Sequence, residues 1–366
     1  MNKFLYPLCI ALAILMTMPA HATIRYLSLT GAGSYSTITA AYNAAVAGDT
    51  VLVGPGIWLE NPPTFDKRLT WIGAGWDQTV WNGNGSAFFV GSNSDGSSFE
   101  GIRFQAGSSA YVIQGSGTPD SLSFRRCIIE KPVGSSAASP IYFTNVACRL
   151  YMEDCIIMGN VNGYSVLNMP NAATLWRNCV FAMVGTSNNP LFDGSATSGT
   201  TELYNCVFLN IRTLFSLPTG AQPVIAINNV FYDWGTSPTF GTYPSANSIF
   251  DYNASTSALA APGTNPIALG ATDPFVNYDE AANFVFGTSD LHLAVGSPLI
   301  DAGHPNLTDF TDATRSDCGI YGGPRPLIDG GVPNYPWAVN VVVSPNLIGQ
   351  GTPVNGTATG RVGPQY

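Results

Sequence analysis

The sequence predicts an all-β chain wound into a right-handed parallel β-helix, a solenoid with a short N-terminal capping helix. Three observations predict it. A six-residue motif recurs without gaps as FRRCII (124–129), MEDCII (152–157), WRNCVF (176–181), LYNCVF (203–208) and AINNVF (226–231). The fourth motif positions, Cys127, Cys155, Cys179, Cys206 and Asn229, follow one another at uneven intervals of 28, 24, 27 and 23 residues. Constant β-rich segments joined by loops of varying length are the signature of a solenoid and exclude helical repeat arrays. The composition agrees: only 10% of residues are charged, 39 are glycine, and Ser, Thr and Asn are abundant, which suits many strands and turns.

The elements follow in chain order. Lys3, the apolar run 5–18 and the Ala-His-Ala tripeptide at 20–22 have the layout of a secretory leader cleaved after Ala22. That run is too short to span a bilayer, and no later stretch is long and apolar enough to do so. The expected product is therefore secreted or extracytoplasmic. Residues 23–50 are predicted as a cap, because Ile38, Ala41, Tyr42, Ala45 and Val46 recur at helical spacing until Gly48 and Asp49 break the pattern. Coils are expected over 51–260. FEGIRF (99–104) and NSIFDY (247–252) are weaker copies of the motif, and apolar runs near 111–114, 141–143, 166–168 and 214–216 supply further strands. Roughly eight coils at about 4.8 Å each would make a rod of about 40 Å. Residues 261–325 are expected to hold terminal coils and an Asp-rich closing module, and 326–366 a Gly- and Pro-rich C-terminal segment.

Stacking turns motif positions into columns. The polar residue before each Cys marks a tight corner, since Asn tolerates the left-handed conformation such corners need. Cys127, Cys155, Cys179 and Cys206 then form a structural column of small thiols filling the interior. Their parallel Cα–Cβ vectors make a disulfide awkward. Cys148 and Cys318 show no partner in the sequence. Two places before the Cys the column reads Arg125, Glu153, Arg177, Tyr204, and Arg126 and Asp154 share the next, which predicts ion pairs between coils.

The segment AAVAGDTVLVGPGIWLE (44–60) resembles the opening of pectin-lyase-like parallel β-helix proteins. DLHLAVGSPLIDAGHP (290–305) with RSDCGIYGGP (315–324) resembles the terminal "SP.IDAG … R.D.G.YGG" module of exported bacterial β-helix proteins. In the loop 309–317, which runs into the second of those stretches, Asp309, Asp312 and Asp317 alternate with Ser and Thr oxygens, hard ligands of the kind calcium prefers. The plainer expectation is that Asp301 and Asp317 cap turns and pair with Arg315.

The resemblance implies a polysaccharide as partner. Lyases of this fold hold calcium on clustered acids beside an Arg or Lys base, and its hydrolases use several Asp with a His and an Arg–Lys motif. Neither set maps onto this chain, so its catalytic residues stay unknown: over coils 99–255 Asp120, Asp154, Asp193, Asp233 and Asp251 are scattered, no His is present and Lys131 is the only lysine, while His292 sits in the strand-like DLHL. A net charge of −9 repels nucleic acid and, without metal ions, anionic polymers. Trp58, Trp71, Trp76 and Trp81 are dense in the first coils, where at least half are expected in the core. The sequence therefore points to a carbohydrate-related binding or structural role, at the cell surface or beyond it. Cleavage of an extracellular polysaccharide is the alternative, and self-association through the solenoid ends the structural variant.

Overall fold

A computed structural model winds the chain into a parallel β-helix. It describes residues 22–30, 33–106, 111–131, 139–143, 147–160, 167–168, 173–184, 190–194, 199–217, 223–232, 239–256, 261–270, 273–279, 284–344 and 355–364. The expected leader lies outside them, apart from Ala22. Three sheets run along the rod. The first has ten strands from Ile24–Leu27 to Ile249–Asp251, the second ten from Gly56–Leu59 to Ile267–Leu269, and the third seven from Phe88–Val90 to Thr239–Thr242. Every pairing in these sheets is parallel, and each coil sits in register on the last: Phe124 lies opposite Met152, then Trp176, Leu203 and Ala226.

The six-residue motif is the corner between the first and second sheets. Phe124 points inward, Arg125 outward, Arg126 turns the chain, and Cys127 points inward again. Successive corner residues Arg126, Asp154, Asn178, Asn205, Asn228 and Tyr252 all take left-handed φ values, from 49° to 59°. Asn adopts that region at little cost. Arg126, Asp154 and Tyr252 are held there by the identical corners above and below them.

Inside, Cys127, Cys155, Cys179 and Cys206 are free thiols with no solvent exposure. Each Sγ lies 3.4–3.5 Å from a carbonyl one coil below, those of Phe99, Phe124, Met152 and Trp176. The column continues as Asn229 and Asn253. Asn229 Nδ2 donates to Leu203 O (2.9 Å) and Asn253 Oδ1 (2.9 Å), while its Oδ1 accepts from Cys206 N (2.9 Å). Cys148 and Cys318 are also free and buried. Aromatic rings stack alongside at the strand spacing, Phe181 on Phe208 at 4.8 Å and Phe208 on Phe231 at 4.9 Å. Trp58, Trp71, Trp76 and Trp81 are all at most 3% exposed, so none offers a face to a sugar.

The helix Ile38–Ala44 is capped by the Thr37 side chain and lays Ile38, Ala41 and Tyr42 on the first coil. It is an excursion between two paired strands, since Ile24–Leu27 lies directly beside Thr50–Val53. The helix stops two residues before the apolar pattern does, which turns Val46 out to solvent.

The chain after Leu269 departs from the expected lengthwise stacking. Asp290–Leu293 is not a coil strand; it pairs antiparallel with Phe275–Asn277. From there to Pro333 a strap runs back along the outside of the second sheet, toward the first coils. Gly303 reaches Asn228, Gly322 reaches Asn205, Arg325 reaches Glu153 and the Val332 carbonyl reaches Arg126. Beneath the strap, Ile128, Ile156, Val180, Val207, Val230 and Ala254 form an outward apolar stripe, covered by Phe275, Leu291, Leu299, Ile320 and Leu327. The two consecutive apolar residues of each motif thereby have separate purposes. One fills the solenoid, and the other holds the strap. A hairpin of Trp337–Ser344 and Asn355–Arg361 ends the described chain beside the first coils, with Arg361 bound to Asp77 at 2.9 Å.

Candidate functional site

The outward residues of the first sheet stack as Glu100, Arg125, Glu153, Arg177 and Tyr204 in one column, with Ser98, Ser123, Tyr151, Leu175 and Glu202 beside it. Glu153 sits at the centre and is largely buried by its neighbours. Arg125 Nε lies 3.2 Å from it, Arg177 Nη1 donates at 2.8 Å, and Arg325 Nη1 from the strap lies 3.3 Å away. The three arginine side chains are 38%, 29% and 41% exposed, against 14% for the glutamate. Each guanidinium carries five N–H donors, and one carboxylate engages only a few of them. Arg177 also lies over the Tyr204 ring, 5.9 Å from its centroid. Tyr204 donates to Glu202 at 3.1 Å, and burial beside that carboxylate pushes its phenol up to about 12.

The neighbouring corner column holds a further buried set of charges. Arg126 is buried, donates to Glu100 (3.3 Å) and lies 3.8 Å from Asp154. Burial raises the Asp154 carboxyl well above the usual range despite the attraction of Arg126, and its Oδ1 has no hydrogen-bond partner. The ridge thus sets the three guanidiniums of Arg125, Arg177 and Arg325 around the single carboxylate of Glu153, on a chain of net charge −9. Both predicted pairs, Arg125 with Glu153 and Glu153 with Arg177, lie in this column. Arg325 is 172 residues from Glu153 and gives no local signal in the sequence.

The remaining predicted residues lie in the strap. The corner asparagines are buried beneath it as clamps. Asn178 Nδ2 donates to Ile320 O and Gly322 O, both at 2.8 Å, and Asn205 Nδ2 to Asp317 O at 2.9 Å. Asn228 Oδ1 accepts from His304 N at 2.7 Å. This stacked asparagine column is occupied by the chain's own backbone.

Asp309, Asp312 and Asp317 point into separate turns. Asp309 accepts from Gly323 N and from Asp317 N (3.0 Å), Asp312 from Thr314 N (3.0 Å), and Asp317 from Asp301 N (2.7 Å). Amide hydrogens aimed at the oxygens present the wrong polarity to a cation, and no group of three such ligands is assembled among the described residues. The three aspartates do not fit a calcium site. Arg315 does not pair with Asp301 or Asp317 as expected; it donates to the Gly303 and Ala302 carbonyls and lies over Tyr252.

Burial and the nearby Asp309, Asp301 and Asp312 push the Asp317 carboxyl up to about 6, above the ordinary value near 3.9. A raised folded-state pKa stabilises the strap fully below about pH 4, and that contribution is lost as pH rises through about 6. Asp309 is raised with the same sign, whereas Asp290 is lowered and acts at lower pH. Intrinsic-rate-corrected hydrogen exchange over 299–327 is therefore expected to show stronger protection at pH 5 than at pH 7.5. Asp317→Asn should flatten that difference, and equal protection in the parent protein at both pH values would contradict the assignment.

His292 lines an open cleft of about 510 Å³ with Thr311, Asp317, Tyr321 and Asp329. Its Nδ1 lies 2.7 Å from Asp290 Oδ1, its ring stacks on Tyr321 at 3.8 Å, and Nε2 lies 3.7 Å from Asp329. Tyr321 in turn donates to Asp329 at 2.8 Å. An oriented imidazole beside two carboxylates is an acid–base arrangement the DLHL segment alone does not reveal.

No protein-family model matches the chain, and no curated protein matches it. Among solved structures it is similar to a pectin methylesterase from carrot, at 16% identity over 67% of this chain and 86% of that one, with a TM-score of 0.45. It is similar to the pectate lyase Pel9A at 17% identity over 82% and 96%, with a TM-score of 0.46. Pectin methylesterase PemA from Erwinia chrysanthemi shares 13% identity over 76% and 100%, with a TM-score of 0.42. No residue role passes from these proteins to this chain at such identities.

Proposed function

We propose that this chain is an exported, non-catalytic β-helix protein that binds an anionic polysaccharide along the arginine ridge of the first sheet. The observation that carries the reading is the set of three part-exposed guanidiniums on the one shielded carboxylate of Glu153. Arginine forks suit carboxylate and sulfate groups, and the spare donors face solvent. The overall negative charge works with the ridge, because it repels a polyanion from other surfaces and confines it to this line. The leader-like N-terminus supports export to where such polymers occur.

The test is retention on immobilised polygalacturonate and chondroitin sulfate, with xylan as the neutral control. The parent protein is expected to be retained by an anionic polymer and released by salt. Arg177→Ala should weaken binding about tenfold, the scale of one charge-assisted hydrogen bond. Equal retention of parent and variant would refute the ridge. The His292 cleft favours a second reading, hydrolysis of a polysaccharide with His292 as base. Chain shortening by the parent protein, abolished in His292→Ala, would establish it in place of the first.

A further inference from the structure

The ridge is not completed by the solenoid alone. Two of its arginines come from the coils on either side of Glu153, on first-sheet strands that end in the repeated corner. The third arrives on the strap, and the strap is set against the rod by a short, identifiable chain of contacts. Asn178, at a left-handed corner with φ 49°, grips Ile320 O and Gly322 O at 2.8 Å each. Three residues beyond Gly322, Arg325 reaches both oxygens of Glu153, at 3.3 and 3.4 Å. Asn178 also directly follows Arg177 in the sequence. One corner therefore fixes a guanidinium of the solenoid by its backbone and a guanidinium of the strap by its side chain. Next to the grip, Leu327 N donates to Ile320 O at 2.8 Å and closes the loop that carries Arg325.

Resting on the anion-binding reading above, we propose that Arg325 is a ligand-contacting residue of the ridge and Asn178 the residue that positions it. Arg325 is the most exposed of the three guanidiniums. Its N–H groups not engaged with Glu153 extend the cationic line from the first sheet toward the strap. A polymer chain lying on the ridge then meets charges from two elements distant in sequence, and its affinity depends on the strap being seated.

The experiment is a double-mutant cycle on full-length mature protein, read as the dissociation constant for polygalacturonate and for chondroitin sulfate across a salt series. Arg325→Ala is expected to weaken binding about tenfold and to lower the slope of log affinity against log salt by about one. Arg325→Lys should keep the salt slope while losing part of the affinity. Asn178→Gly retains the left-handed corner and removes the amide; it should weaken binding about threefold, on the scale of a net hydrogen bond. Because Asn178 acts through Arg325, the double variant should bind like Arg325→Ala alone. Purely additive losses, or parent-like binding by Arg325→Ala, would overturn the proposal while leaving the ridge of Arg125 and Arg177 intact. A parent protein that binds neither polymer would instead overturn the functional reading, and this inference with it. Thermal unfolding of each variant separates a lost contact from a lost fold.

Discussion

Asn229→Leu is expected to destabilise the protein by about 2–5 kcal/mol, from two buried polar groups, the Cys206 amide and the Leu203 carbonyl, that lose this partner at about 1–3 kcal/mol each, while Asn253 Oδ1 keeps the Asn229 backbone N–H. Asn229 has no solvent exposure and serves three neighbours at once: Cys206 N, Leu203 O and Asn253 Oδ1. The leucine side chain matches the volume but satisfies none of them. The contrast with the thiols below is informative, because Cys206 in the equivalent place lies at 3.5 Å from the Trp176 carbonyl, a weak contact. Cys206→Ala should therefore cost mainly the transfer and cavity terms of one small side chain, well under the Asn229 effect. Denaturant midpoints for the two variants provide the check. A loss below about 1 kcal/mol for Asn229→Leu would show that the neighbouring amides find other partners.

Arg126→Ala is expected to cost about 3–5 kcal/mol, the range for removing one partner from a buried charged network. The side chain is almost fully buried at a corner and donates to Glu100, to Val332 O at 3.0 Å and to Pro364 O at 3.4 Å. Its removal strips Glu100 of its cation and leaves the carbonyls of both ends of the terminal hairpin without this donor. Two readouts should move together. Global stability falls, and protease sensitivity appears in 332–364 before the coils unfold. Loss of stability without new cleavage would assign Arg126 to the solenoid alone.

The repeat made the solenoid legible because its motif spans a corner. A strand end, a left-handed residue, an inward small side chain and a second strand are all encoded within six residues, so register follows from alignment. The same alignment placed Arg125, Glu153 and Arg177 in one column, since strand-to-strand neighbours in such a fold are motif-to-motif neighbours. Arg325 was beyond its reach. Nothing periodic links a strap to the coils it crosses, and the pairing depends on where a loop folds back. The fifth residue of each motif, directly after the Cys position, was the available clue. In Ile128-Ile129 one side chain has to point outward, and six such residues in line demand a cover. The aspartate loop misled for a related reason. Asp and Thr alternation serves turn capping and metal ligation equally well in sequence, and the direction of the amide hydrogens decides between them.

A stack of repeats with contacts only between neighbours unfolds by fraying, coil by coil, from whichever end is weaker. The strap changes that. A segment near the C-terminus touches coils from Asn228 back to Arg126, so each coil shares a partner with coils several places away. Unfolding is thereby coupled along the rod, and a single sharp transition is the expected behaviour. The same coupling sets an order of events for a chain emerging N-terminus first. The early coils can stack, but their outer apolar stripe stays open until the last hundred residues are available to close it. A chain still being synthesised is thus held short of its final stability, and commitment to the finished structure comes only once the strap has emerged to cover the stripe.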